Sequence, residues 1–361
     1  MGNTLTDITP QLLAQGLQTL RKMAVMPQLV NRGYEPLAGE QGSTIDVPVP
    51  SAVAVQDVVP AATHPAGTNL TPTKVPITLN RWKEAAFDLD DRELMQIQKG
   101  TIPMQAREAI KALADELDSY LLSLGSQFYG IAGTPGTVPF ANEKTTDASA
   151  LRTVLNRQLA PFDPRHVVLD PDAEGSALNV RAFQDASFGG GVEALMKGRL
   201  NEKLGFRWWM DQNVRSHTAG TGAGYLINTA SNLAAGTKTI PVDTGTGTIL
   251  VGDIVKFANH SQTYVVTSAL SGGSFAIEPG LLVSVANNSA VTAPGDTGGY
   301  GSHVMNLGFH RDAIALATRP LARSVHPSAV VETMTDPISG LTLRLELHRL
   351  YKKDRWSFDI L

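Results

Sequence analysis

Apolar and polar positions change rhythm several times along the chain, and each change predicts an element. Leu12, Leu13, Leu17, Leu20 and Val25 mark one face of a helix that Thr9-Pro10 opens and Pro27 ends. The rhythm then shortens to two. Ile45, Val47 and Val49 alternate with Asp46, Pro48 and Pro50, and Val75, Ile77 and Leu79 alternate with Pro76, Thr78 and Asn80. Both runs predict strands, and their prolines, which cannot donate to a ladder, place them at an edge. Together, residues 42–88 read as a long two-stranded flap, a structure too small to be stable in water without a surface to lie on.

The period lengthens again over 101–128. Ile110, Leu113, Leu117, Leu121, Leu124 and Phe128 recur at three and four, with Glu108, Lys111, Asp115, Glu116 and Asp118 assigned mostly to the opposite side. A helix from Pro103 to Leu124 follows, about 33 Å long. Past the breakers Gly133, Pro135, Gly136 and Pro139, the pattern is mixed. Asp147 is expected to cap a helix carrying Leu151, Val154, Leu155 and Leu159. His166–Leu169 reads as a short buried strand, Ala177–Phe183 as a helix, and Gly189–Gly191 as a loop before Val192–Leu195.

Residues 221–298 form a compositional island of short apolar runs (238–242, 253–257, 264–267, 275–277) between turns rich in Gly, Asn and Ser. Such spacing predicts a small β-barrel or sandwich inserted between hinges at 218–222 and 295–301. The chain then ends in β: Leu341, Leu343, Leu345 and Leu347 alternate with polar residues, Lys352-Lys353-Asp354 can turn, and Trp356, Phe358 and Ile360 alternate again. A hairpin with one buried face is the expectation.

Composition narrows the function. The 361 residues contain no Cys, which excludes a disulfide scaffold, a thiolate zinc site and a Cys nucleophile. Thirty Lys and Arg against 34 Asp and Glu give a formal charge of −4, without the basic footprint of a sequence-reading nucleic-acid binder. No apolar run is long enough to span a membrane, and the first thirty residues lack the pattern of a secretory signal.

Catalytic motifs are absent or incomplete. Phe309-His310-Arg311-Asp312 contains a kinase-like tripeptide, but Ala317 stands where that motif needs Asn. Gly220, Gly222 and Gly224 miss dinucleotide spacing, as do Gly245 and Gly247. The eight His residues are scattered, and His64 and His326 each precede Pro. Met1–Thr6 fits a loose myristoylation pattern, and Asn69, Asn259 and Asn287 begin glycosylation sequons that matter only in a secreted eukaryotic chain. Arg344, Arg349, Lys352, Lys353 and Arg355 cluster, but Glu346, Asp354 and Asp359 dilute them, so a solvated turn is favoured over a phosphate-binding patch. No catalytic, cofactor-binding or metal-binding residue is assigned, and no enzyme activity or cofactor is expected.

Several stretches in order resemble the coat-protein family of phage P22 and its relatives. The first runs from Lys197-Gly198-Arg199-Leu200 through Gly205-Phe206 and Asp211-Gln212-Asn213-Val214 to His217-Thr218-Ala219-Gly220. The second runs from Asn306-Leu307-Gly308-Phe309-His310-Arg311-Asp312-Ala313 to Ala317-Thr318-Arg319-Pro320-Leu321. The third is Glu332-Thr333-Met334-Thr335-Asp336-Pro337-Ile338-Ser339-Gly340-Leu341 with Trp356-Ser357-Phe358-Asp359, and Gly133–Thr137 is a weaker fourth.

The resemblance implies an α+β, HK97-like major capsid fold with a small inserted all-β domain. Its parts would be an N-terminal arm (1–40), an extended loop (41–90), a peripheral domain with the spine helix and C-terminal hairpin (91–140 and 338–361), an axial domain (141–220 and 299–337) and the insertion (221–298). It implies a major capsid protein of a tailed double-stranded DNA bacteriophage, assembling with itself as hexamers and pentamers into an icosahedral virion shell built in the host cytoplasm. The implied partners are a scaffolding protein and a portal during assembly, a decoration protein, and packaged DNA held non-specifically, with no membrane. Lys74 and Lys83 have the side chain that some relatives cross-link to Asn, but no cross-link site is assigned. The alternatives are an encapsulin-like compartment shell or, in a different class, a carbohydrate-binding surface protein.

Overall fold

A computed structural model describes residues 24–34, 44–51, 53, 55, 67, 69–92, 101–184, 198, 200, 202–319, 321, 329–335 and 341–361. The expected arm helix up to residue 23, the Gly189–Leu195 segment, Met1–Thr6, His64 and His326 lie outside them; Pro27, expected to end that helix, instead lies in the first turn of a short helix, Met26–Leu29. The described residues divide into two compact units. One draws on residue 24, 30–114 and 314–361, the other on 25–29 and 115–313.

In chain order the elements begin with α1 (Met26–Leu29), β1 (Thr44–Val49), β2 (Thr73–Thr78), β3 (Lys83–Asp90) and the long helix α2 (Thr101–Ser123). Then come α3 (Thr146–Arg157), β4 (Arg165–Leu169), α4 (Pro171–Asn179), α5 (Arg181–Gln184), β5 (Arg207–Met210) and β6 (Ser216–His217). The island holds β7 (Leu226–Ile227), β8 (Thr239–Asp243), β9 (Ile254–Phe257), β10 (Tyr264–Ser271), β11 (Ser274–Glu278) and β12 (Val291–Thr292). The chain closes with β13 (His303–Val304), β14 (Leu307–His310), β15 (Ala329–Thr335), β16 (Thr342–Leu350) and β17 (Lys353–Ile360).

The first unit holds the antiparallel ribbon β1–β2 and a four-stranded antiparallel sheet in the order β15-β16-β17-β3. Lys83–Asp90 pairs along its whole length with β17, and Ala329–Thr335 pairs with β16. The sheet corrects the expected single buried face of the hairpin. Leu341, Leu343, Leu345 and Phe358 are buried, but so are Thr342, Arg344, Ser357 and Asp359. The polar face is closed by its own charge pairing, described below.

Helix α2 is about 35 Å long at 1.5 Å per residue. Its buried stripe is rotated from the expected one. Ala106, Ile110, Leu113, Ala114, Leu121 and Leu122 are buried, Leu117 is only partly so, and Asp118 has no exposed surface. Asp118 stands four residues after Ala114 and three before Leu121, in the middle of the apolar face, not opposite it. The helix contributes to both units, residues up to 114 to the first and those from 115 to the second.

The second unit has two apolar cores. One surrounds the mixed sheet β14-β4-β5, in which β4 is buried at all five positions. Val167 and Leu169 pack with an aromatic cluster in which Phe183 and Trp208 meet edge-on at 5.2 Å and Phe140 approaches Trp208 at 5.7 Å. Asp147 does not cap α3 as expected. It lies within the first turn and accepts the Phe140 N–H at 2.6 Å, fixing the loop over this core. Leu159 lies beyond the helix and is exposed, in a left-handed conformation.

The other core is made wholly from Tyr225–Ala293. Its strands run β12-β9-β10-β11-β8-β7, and the outer two meet again. Val291 N–H donates to Tyr225 O and Ile227 N–H to Ser289 O, at 3.0 Å each. The sheet therefore closes into a small barrel, which satisfies both edges.

Candidate assembly surfaces

The ribbon β1–β2 separates its residues by the two-residue period of a strand. Ile45, Val47 and Val49 face the same way as Ile77, Val75 and Thr73 across the pair. Asp46 and Lys74 sit on the other face, joined by an exposed ion pair at 3.1 Å. Pro48 and Pro76 remove ladder donors, and among the described residues the ribbon pairs with no other strand. Ile45 is buried, whereas Val49 is 39% and Val75 53% exposed. Val53, Val55 and Leu70, beyond the ribbon's end, are exposed as well. A short ribbon with an uncovered valine strip has chemistry suited to contact with another apolar surface.

The three arginines of the basic cluster near the C-terminus pair with nearby carboxylates. Arg344 donates to Asp359 through Nε at 2.9 Å and through Nη2 at 2.5 Å, both side chains being nearly fully buried. This bonding, with the charge of Asp359, holds the guanidinium above its ordinary pKa. Trp82 covers the pair: its indole N–H donates to Asp359 at 3.1 Å and its ring lies 5.8 Å from the Arg344 guanidinium. Arg349 donates to Asp354 at 2.8 Å and to Asp91 at 2.9 Å, and Arg355 meets Asp88 at 3.1 Å. A phosphate-gripping patch would need these cations free, so the solvated-turn reading is the one the geometry supports.

The chain enters and leaves the barrel through a two-stranded neck in which His217 lies opposite His303, their ring centroids 5.6 Å apart. His217 Nε2 is 2.9 Å from Asp253 Oδ1, and Asp253 also accepts the Gly220 N–H at 3.2 Å and the Leu250 N–H at 2.7 Å. A Cβ on Gly220 would come within 2.2 Å of the Thr248 carbonyl, and one on Gly245 within 2.3 Å of the Tyr225 ring. These glycines permit close backbone approach rather than cradling a phosphate.

A cavity of about 590 Å³ lies in the second unit, lined in part by Phe140, Asp170, Trp208, His217, His303 and Asn306. It brings together no nucleophile–base pair. Among the described residues no group of three His, Asp or Glu is placed to hold a metal ion. Phe309 and His310 are buried at the end of β14, and Arg311-Asp312 opens a single 3₁₀ turn. Asn259 and Asn288, from two of the sequons, take left-handed turn conformations at φ +67° and +58°.

Four buried or partly buried residues of the second unit, Asp118, Asp211, His217 and Asp253, were given no structural role by the sequence reading, although Asp211 and His217 stand in its motifs. Only Asp118 left a signal, an acidic residue inside an apolar helical stripe.

No family model matches the chain, and no curated protein matches it. Among solved structures, one of Mycobacterium phage Che8 matches 94% of this chain and 85% of its own with a TM-score of 0.52 at 16% identity. One titled the capsid structure of the cyanophage P-SCSP1u matches over 93% and 83% at 13% identity, TM-score 0.49. A third, titled the asymmetric unit of the bacteriophage PhiM1 mature capsid, matches over 75% and 82% at 12% identity, TM-score 0.39. The chain is thus a mixed α/β protein that shares its fold with the Che8 phage structure.

Proposed function

We propose that the chain is the major capsid protein of a tailed double-stranded DNA bacteriophage, with the HK97-like fold of P22-like coats, and that its activity is assembly. The observation that carries this reading is the fold shared with a phage structure over nearly the whole of both chains. The ordered P22-like motifs support it independently of the fold. In this reading residues 41–90 are the extended loop, α2 the spine, the mixed sheet part of the axial domain, and residues 221–298 the inserted barrel, which has a core of its own. The barrel's closed edges suit a module attached to a shell. The uncovered valine strip of the ribbon suits a segment that becomes stable on a neighbouring subunit, so that ordering is coupled to association. Many modest contacts per copy then add through multivalency.

Under this reading the partners are further copies in hexamers and pentamers, a scaffolding protein and portal during assembly, and DNA held without sequence preference. The net charge of −4 suits a wall that does not grip its contents. Electron microscopy of the chain expressed alone, and together with the neighbouring reading frames of its source genome, tests the proposal. Closed shells, tubes or polyheads are expected, with nucleic acid or nothing inside. Uniform small oligomers under both conditions would overturn it, and shells filled with one co-purifying enzyme would point to a compartment instead.

A further inference from the structure

Asp118, fully buried near the middle of the second unit, accepts two backbone N–H groups from the far end of the sequence: Met26 at 2.8 Å through Oδ1 and Val25 at 3.2 Å through Oδ2. These are the amides at the start of α1, which the Asp118 carboxyl serves as a cap supplied from 92 residues away. The other neighbour of Asp118 is a second carboxyl, Asp211, in the turn after β5 and 5% exposed. Asp211 Oδ1 accepts the Asn213 N–H at 2.8 Å, while Oδ2 is buried without a donor. Two carboxylates in contact and out of water cannot both be ionised, and a proton on one gives the other the donor it lacks.

We propose that Asp118 holds a proton towards Asp211 and forms a proton-dependent latch fastening the Val25–Met26 backbone to the long helix. Among the described residues no cation lowers Asp118. The Val25–Leu29 segment carries no titratable side chain. The helix itself brings Asp115, Glu116 and Tyr120 within a turn. The loop after β5 brings Arg215 and His217, but the Arg215 guanidinium donates to Ser119 Oγ at 2.8 Å and His217 engages Asp253. Burial first, and then Asp211 through its hydrogen bond and charge, push Asp118 up to about 8, against the two backbone N–H groups.

Opening the segment exposes Asp118 to water, where it ionises as an ordinary carboxyl. Opening therefore releases a proton between about pH 4 and about pH 8, and becomes easier as pH rises through that window, by up to tenfold per pH unit, levelling off above it. The latch therefore sets how firmly the Val25–Met26 backbone is held against the helix. It stands whether or not the chain builds a shell.

Amide hydrogen exchange on the full chain tests it. Protection factors for Val25 and Met26, corrected for intrinsic exchange and referenced to Val167–Leu169, are expected to fall steadily from pH 5 to 8 and then flatten. In Asp211→Asn the amide donates a hydrogen bond that does not titrate, while burial still raises Asp118, so protection should persist and its fall should flatten at a lower pH than in the wild type. Asp118→Asn offers one acceptor for two donors and should lower protection at every pH. A wild-type profile that is flat from pH 5 to 8, or an Asp211→Asn profile that flattens at the wild-type pH, overturns the latch. If neither variant folds, the wild-type profile decides alone.

Discussion

His217 and Asp253 are joined by a 2.9 Å contact between imidazole Nε2 and a carboxylate oxygen with no exposed surface. Asp253 is an acceptor only, so Nε2 carries the proton. His217 ends the strand that leads into the barrel, and Asp253 opens the barrel strand β9, so a single carboxylate ties the entering chain, through His217 and Gly220, to the barrel wall at Leu250. Asp253→Ala should leave two backbone donors and an imidazole unsatisfied and destabilise the second unit by about 3 kcal/mol. His217→Ala removes one bond and should cost about 1 kcal/mol. Thermal unfolding of the two variants checks the ranking, and equal costs would contradict the placement of Asp253 as the shared acceptor.

The buried pair Arg344–Asp359 makes a different demand. Removing Asp359 takes away the two short hydrogen bonds of the Arg344 guanidinium and leaves Glu346 at 3.5 Å, whereas replacing both members of the pair with apolar residues restores packing. Asp359→Ala is expected to cost about 3–5 kcal/mol, and the double variant Arg344→Leu/Asp359→Leu distinctly less. Urea unfolding at neutral pH distinguishes the outcomes. A double variant as unstable as the single one would show that the pair, rather than its satisfaction, is what the sheet needs.

Local pattern made much of this architecture legible. The alternating runs around Val47 and Ile77 are the paired ribbon strands, the run at threes and fours from Ile110 is the long helix, and the four apolar runs of the island are β8 to β11. What stayed hidden depends on partners distant in sequence. Strand β3 pairs with β17 across some 270 residues, and nothing within Lys83–Asp90 announces that partner. The barrel's closing strands β7 and β12 are two residues each, too short for a period to show. Asp118, Asp211 and Asp253 read as surface acids because charged residues usually are. Their burial follows from backbone N–H groups that only the folded chain brings to them.

His166 sets a pH limit opposite in sign to that of Asp118. Burial first, then the charges of Arg207 and Arg311, push it down to about 4. Its neutral Nδ1 accepts the Trp209 indole N–H at 3.3 Å. The unfolded chain takes up a proton near pH 6.5 and the folded chain does not, so stability falls as pH drops from 6.5 to about 4, by at most ~1.4 kcal/mol per pH unit. In His166→Asn the side-chain oxygen can replace Nδ1 as acceptor without titrating. The difference in stability between wild type and this variant should therefore shrink or change sign as pH falls through that window. Asp118 contributes equally to both and cancels in the difference. Urea titrations followed by tryptophan fluorescence at pH 6.5, 5.5 and 4.5 provide the measurement, and a difference independent of pH would rule out His166 as the titrating group.

The ribbon offers a way to separate folding from assembly. Val49 and Val75 lie on its apolar face but are 39% and 53% exposed, so within one subunit they contribute little burial. Substituting both with Asp places two charges on that face without removing a packed core contact, and the stability of the isolated subunit should change by less than about 1 kcal/mol. Desolvating two carboxylates at a subunit contact, repeated at every copy, is costly. Under the proposed capsid function, soluble, folded subunits that no longer form particles are therefore expected. Circular dichroism with thermal melting reads the first property, and sedimentation with electron microscopy the second. Particles of normal yield from the Val49→Asp/Val75→Asp chain would show that this face does not meet a neighbour. A large loss of thermal stability would show instead that the face is covered within its own chain.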